Sequence, residues 1–231
     1  MDNCQIERTI GLLGEDLVPV LKEKTVAVIG LGGVGGTALE ALARTGFEHF
    51  LIIDGDEVCS SNLNRQILYT KSDIGKKKTE VAKNRILAIN PDAEVNTISE
   101  RISASNINKL SEYKLDFIVD AIDDTKAKIE IAKYASKNNL PIIVSLGMAN
   151  RLDPSQVQVI RLDKTTNDPL ARKYRHELKA AGVDTKEIMA VCSKELPLKD
   201  EGKLHSIMTV PSAAGLNISL YVISYYMRGD K

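Results

Sequence analysis

Residues 25–66 read TVAVIGLGGVGGTALEALARTGFEHFLIIDGDEVCSSNLNRQ, and this stretch decides the fold. An apolar β-type run at 26–29 feeds a glycine cluster, Gly30, Gly32, Gly33, Gly35 and Gly36. A helix-like segment comes next, then a second apolar run at 51–53 that ends on Asp54. Strand, glycine turn, helix, strand and an acidic residue about 20 positions on are the pattern of a nucleotide-binding unit. Glycines let backbone amides approach phosphate, the helix N-terminus offers unpaired N–H donors, and Asp54 suits ribose hydroxyls. Taken alone, GLGGVG fits the dinucleotide fingerprint and points to NAD or FAD, or to a glycine-rich turn with no ligand.

The residues beyond Asp54 change the ligand. The chain continues with Asp56, Asn62, Asn64, Arg65 and Gln66, then IGKKK ending on Lys78, and later VDAIDD with Asp123. Backbone amides and one helix dipole suffice for a pyrophosphate. A triphosphate poised for attack needs more positive charge, because charge shifts during transfer. Arg65 and Lys78 supply it and Asp123 suits Mg²⁺, which favours ATP. Asp123 also reads as an N-cap for a helix over 125–138.

In combination, GLGGVG, DxDxV, NxNRQ, GxxK and DAxDD resemble the adenylating domain of the ubiquitin-activating-like superfamily, the ThiF, MoeB and HesA group. The resemblance runs from Arg8 to about Leu162. It implies that Gly30, Gly32, Gly33 and Gly35 form the phosphate loop. It makes Asp54 the ribose ligand with Asp56 beside it, and sets Asn62, Arg65, Gln66 and Lys78 around the phosphates. Asp123 would bind Mg²⁺. RTIGLLG resembles the segment whose arginine reaches the partner subunit's ATP, which implies a homodimer and gives Arg8 that position.

Bulk properties set the frame. A chain of 231 residues, 43% hydrophobic and 27% charged, suits one α/β domain with a real core. Formal net charge is zero, so any nucleic-acid binding must come from a local patch. Cys4, Cys59 and Cys192 are odd in number and widely spaced, the pattern of reduced cytosolic thiols, and the polar N-terminus lacks a signal core; a cytoplasmic location is expected. Residues 210–227 approach the length of a membrane span but contain Pro211, Asn217 and several serines. Leu216, Leu220, Ile223 and Met227 recur there at helical spacing, so a closing helix packed on the sheet by that stripe is expected, with no membrane span.

Residues 1–23 read as a helical lead-in with Ile10, Leu13, Leu17 and Leu21 on one buried face, broken at Pro19. Strand-type runs then recur at 26–29, 50–53, 94–98, 117–121 and 142–146, with helical stretches such as 78–89 and 126–138 between them. This alternation predicts a Rossmann-like, mostly parallel sheet with helices on both faces. After Leu146, residues 156–162 alternate as a strand, a polar segment covers 163–186, and 188–192 form another strand. An antiparallel C-terminal extension of the same sheet is expected. The whole chain, 1–231, reads as a single adenylating domain: lead-in 1–23, nucleotide-binding core 24–150, substrate-side extension and closing helix 151–231.

The second half narrows the resemblance. No CxxC pair is present, and His49, His176 and His205 have no ligand spacing with the cysteines, so no structural zinc is expected. KTTNDPLARKYRHEL, the preceding DPSQVQV, and the later VCSKELP and VPSAAGL resemble the tRNA threonylcarbamoyladenosine dehydratases. That resemblance implies ATP-dependent cyclisation, by dehydration, of a threonylcarbamoyl group on tRNA through carboxylate adenylation. The competing expectation is an adenylyltransferase that activates a ubiquitin-like or sulfur-carrier protein. Arg161, Lys164, Arg172, Lys173 and Arg175 cluster near Tyr174, either as a phosphate patch for tRNA or as a solvated helix face. Cys192 reads as a small buried side chain or as a reactive thiol.

Overall fold

The computed structural model describes residues 4–166, 168–198 and 203–229. Seven strands form one sheet in the order β3-β2-β1-β4-β5-β7-β6. They are β1 Thr25–Ile29, β2 His49–Ile53, β3 Glu94–Ile98, β4 Phe117–Asp120, β5 Ile142–Ser145, β6 Val157–Arg161 and β7 Met189–Ser193. All neighbours pair in parallel except β6 and β7. The fold is therefore α/β, Rossmann-like, with one antiparallel pair. The expected antiparallel C-terminal extension is the β6–β7 pair: β7 continues the parallel sheet beside β5, and the edge strand β6 reverses.

Alternation along the strands assigns the two faces. In β1, Val26 and Val28 point to one core and Ala27 and Ile29 to the other. The first core is closed by α2 (Leu17–Lys22), α3 (Gly33–Thr45), α4 (Lys78–Ile89) and α7 (Thr209–Met227). The second is closed by α5 (Thr125–Lys137) and α6 (Pro169–Ala180). Central strands buried on both faces read as continuous apolar runs, which is why β1, β4 and β5 were legible.

Local chemistry sets the helix ends. Gly46, at φ +113°, ends α3 in the left-handed conformation that L side chains resist. Asp124 caps α5 by accepting from the Lys126 and Ala127 amides, and Asp168 caps α6 ahead of Pro169. Gly215 allows α7 to approach α3: a Cβ there would lie 2.5 Å from the Val34 carbonyl oxygen.

Three expectations about helices are corrected. The lead-in is two helices, α1 (Glu7–Leu13) and α2, and the break falls at Gly14, with φ +89°, while Pro19 lies inside the first turn of α2, where a missing N–H costs nothing. Ile6, Val18 and Leu21 are its buried residues; Ile10, Leu13 and Leu17 are half-buried. In α7, the buried stripe is Val210, Ala214, Ile218 and Val222, with Ile223 at its margin. Leu216, Leu220 and Met227 are 54%, 60% and 53% exposed. No helix among the described residues is long and apolar enough to cross a membrane.

Candidate active site

A cleft of about 440 Å³ opens at the C-terminal ends of β1, β2 and β4. The sheet order reverses between β1 and β4, the switch point at which open parallel sheets bind ligands. Gly30, Gly32, Gly33, Asp54, Asp56, Asn62, Arg65, Gln66, Lys78 and Asp123 all line it.

The floor is the turn from β1 into α3. Gly32 sits at the N-cap of α3 with no side-chain cap among the described residues, so its first-turn N–H groups could donate to an anion. Among the described residues, a Cβ on Gly32 would have only Gln66 Nε2 near it, at 3.9 Å, so any side chain there would occupy the cleft. A Cβ added to Gly33 would lie 3.0 Å from the Arg65 carbonyl oxygen, so the turn packs closely on the NxNRQ loop. From below, the buried Tyr69 hydroxyl donates to the Leu31 carbonyl at 2.8 Å, and burial pushes its pKa up.

Asp54 organises the turn from the side. One carboxylate oxygen accepts the Leu31 N–H at 2.7 Å and the other the Asp56 N–H at 2.8 Å. An ionised carboxylate has about four acceptor sites, so two remain for hydroxyls. Lys78, with a side chain 6% exposed, donates to Asp56 at 3.1 Å and stands 3.8 Å from Asp54. Burial pushes the Asp56 carboxyl up, but hydrogen bonds from Arg101 and Lys78 outweigh it and hold the pKa below its ordinary value.

Opposite lies Arg65, whose guanidinium donates to the Ser61 carbonyl at 2.7 Å and to Asn64 Oδ1 at 2.8 Å. Asn62 accepts the Cys59 N–H at 3.0 Å and so shapes the same loop. Gln66 is buried, and its Oε1 has no hydrogen-bond partner among the described residues, an open acceptor in the cleft wall. Asp123 is exposed on the loop after β4. The cap of α5 is Asp124, so the capping alternative for Asp123 is set aside.

Two expected site residues lie elsewhere. Gly35 is in α3, where a Cβ would collide with the Gly30 carbonyl and meet Ala121; its position serves close helix–strand packing. Arg8 is exposed on α1 and does not line the cleft.

Glu100, Arg101 and Ile102, after β3, line the cleft and were not anticipated. The signal was their position at the C-terminal end of a parallel strand, together with Gly55: a Cβ there would lie 2.6 Å from both the backbone nitrogen and Cγ of Arg101. Also missed was a fully buried ion pair beneath the site, Lys128 Nζ to Asp120 Oδ1 at 2.8 Å.

The basic cluster is less free than its composition implies. Arg161 forms a two-point pair with Asp163, and Arg175 donates to the Thr165 carbonyl at 2.9 Å and to the Thr165 hydroxyl. Lys173 stands 3.8 Å from Glu177. Tyr174 is fully buried and donates to the Lys128 carbonyl, which removes it as a stacking platform. Cys192 is 1% exposed and burial raises its pKa, as suits a packed thiol rather than a nucleophile.

The geometry agrees with known proteins. The ThiF family matches residues 6–216. The tRNA threonylcarbamoyladenosine dehydratase of Bacillus subtilis is 35% identical, over 95% of this chain and 93% of that protein. The Escherichia coli tRNA N6-threonylcarbamoyladenosine dehydratase, TcdA, in complex with AMP superposes with a TM-score of 0.93 at 31% identity, over 99% of this chain and 95% of that one. Its complex with ATP gives a TM-score of 0.92 at 30% identity. The chain belongs to the ThiF family and, within it, to the tRNA threonylcarbamoyladenosine dehydratases.

Proposed function

We propose that this chain catalyses the ATP-dependent cyclisation of threonylcarbamoyladenosine in tRNA by adenylating its carboxylate. Similarity that spans nearly the full length of a named dehydratase, joined to a cleft lined by the residues expected to meet phosphate, ribose and developing charge, supports this reading.

The chemistry needs activation because a carboxylate has only oxide to lose. ATP supplies AMP as the leaving group, and a neighbouring nucleophile of the same modification then closes the ring. The chain's residues prepare this. The first turn of α3 and Gly32 would hold phosphate oxygens, and Asp54 would hold the ribose. Arg65 and Lys78 offset the charge that develops on the phosphates. Lys78 stands ready for this because Asp54 and Asp56 hold it at the cleft wall, nearly free of solvent.

Mg²⁺ fits the site in one way. Among the described residues no three His, Cys, Asp or Glu side chains converge on a metal position. Asp123 would therefore contribute one carboxylate and the phosphates the rest, a ligand set that Mg²⁺ commonly accepts. The ion would neutralise phosphate charge.

We further read residues 1–231 as one adenylating domain of a cytoplasmic homodimer. Arg8 lies outside its own cleft, as a residue serving a second copy would. Leu216, Leu220 and Met227 form an uncovered apolar stripe along α7 that suits burial against a partner.

Nucleoside mass spectrometry of tRNA incubated with the purified protein, ATP and Mg²⁺ tests the activity. The modified nucleoside is expected to lose the mass of one water while AMP and pyrophosphate accumulate. Unchanged nucleoside mass from a protein that still binds ATP refutes the dehydratase reading. Adenylation of a small Gly-Gly-ended protein instead would establish a carrier-activating enzyme.

A further inference from the structure

We propose that Arg101 is a further nucleotide-binding residue, which lays the plane of its guanidinium over the base of the bound nucleotide. The proposal rests on the ATP reading above and adds the base-recognising group to it.

The first support is position. In a doubly wound sheet the phosphates lie at the turn after β1 and the ribose at the acidic residue ending β2. The base then falls further out, on the side of β3. Arg101 comes after β3 and lines the same cleft as Asp54, with Ile53 and the buried Ile102 as apolar lining beside it.

The second support is preorganisation. Nε and Nη2 of Arg101 both donate to Asp56 Oδ1, at 3.2 and 2.7 Å, so the guanidinium is held by one edge. Its side chain is nevertheless 82% exposed. A surface ion pair contributes little to fold stability and costs rotamer freedom in a long side chain. A guanidinium fixed at its edge and open to the cleft is instead suited to stack on a flat aromatic ligand.

The third support is the backbone beneath it. Gly55 has no positive φ that would require glycine, yet a Cβ there would meet Arg101 Cγ and the Arg101 backbone nitrogen, both at 2.6 Å. The glycine between Asp54 and Asp56 thus makes room for Arg101 to close over the ribose end. The Asp-Gly-Asp segment and Arg101 act as one unit.

The test compares ATP, AMP and inorganic tripolyphosphate binding by calorimetry, in the wild type, Arg101→Ala and Arg101→Lys. Stacking on the base predicts that Arg101→Ala weakens ATP and AMP by the same factor, about tenfold, with tripolyphosphate unaffected. Arg101→Lys is expected to resemble the alanine variant, because an ammonium has no plane to stack. In turnover the loss should appear chiefly in KM for ATP. A loss that grows with phosphate number, or rescue by lysine, overturns the proposal in favour of a charge contact with phosphate. Equal loss for all three ligands with a lowered melting temperature overturns it in favour of a structural role. A wild type that binds tripolyphosphate but neither ATP nor AMP overturns the ATP reading itself.

Discussion

Replacing Lys128 with Met is expected to destabilise the protein in a strongly pH-dependent way. Both members of the Asp120–Lys128 pair are fully buried, Nζ lies 2.8 Å from Oδ1, and Oδ2 has no hydrogen-bond partner among the described residues. Burial already raises the Asp120 pKa, and Lys128 is the main influence opposing that rise. Methionine fills similar volume but removes the charge, so the carboxyl must bind a proton to remain buried. From an ordinary value of 3.8, holding that proton at pH 7 costs about 4 kcal/mol, at about 1.4 kcal/mol per pH unit. The same arithmetic leaves under about 2 kcal/mol at pH 5. The sign is that of a carboxyl whose folded-state pKa is raised. The variant is least impaired near its unfolded value of 3.8 and loses stability as pH rises. Urea denaturation followed by circular dichroism at pH 5 and pH 7 measures both numbers. For a chain of this size the pH 7 loss lowers Tm by roughly 8–16 °C. Asp120→Asn combined with Lys128→Met should recover most of the loss, because two neutral side chains leave no unpaired charge. A Lys128→Met cost below about 1 kcal/mol, or one equal at both pH values, would refute the reasoning.

Asp123→Ala should abolish Mg²⁺-dependent turnover with melting unchanged, whereas Asp124→Ala should cost about 1 kcal/mol of stability through the lost cap of α5; paired activity and melting curves separate the two. Arg8→Ala should lower ATP turnover without dissolving a dimer, and mixing it with Asp123→Ala subunits should restore one competent site per heterodimer. Confirmed heterodimers that stay inactive would place Arg8 in its own subunit or on the surface alone. Arg172→Ala should weaken tRNA binding and reduce its salt dependence by about one ion's worth. Arg175→Ala, which removes the bonds to Thr165, should lower melting temperature more than tRNA affinity.

Much of the site was legible in the chain because its parts are local. The glycine turn, the strand before it and Asp54 sit within one β-α-β unit, where spacing alone sets which groups meet. NxNRQ and Lys78 come within the same short stretch, and their residue types state their chemistry. Apolar runs and Gly/Asp punctuation located the strands to within about one residue because central strands are buried on both faces. The side chains that long-range packing places were not legible. Residues 210–227 are apolar on more than one helical stripe, so periodicity could not choose between Leu216-Leu220 and Val210-Ala214-Ile218-Val222. The choice falls to the close α3–α7 approach at Gly215. Arg101 reaches Asp56 across 45 residues of sequence, Arg175 is claimed by Thr165, and Tyr174 turns inward to Lys128. Sequence determined the chemistry of the cleft, because backbone geometry and side-chain type are properties of short segments. Which charged and aromatic groups face it, which are consumed in the core, and which face α7 leaves open depend on how distant elements pack, and only the tertiary structure decided them.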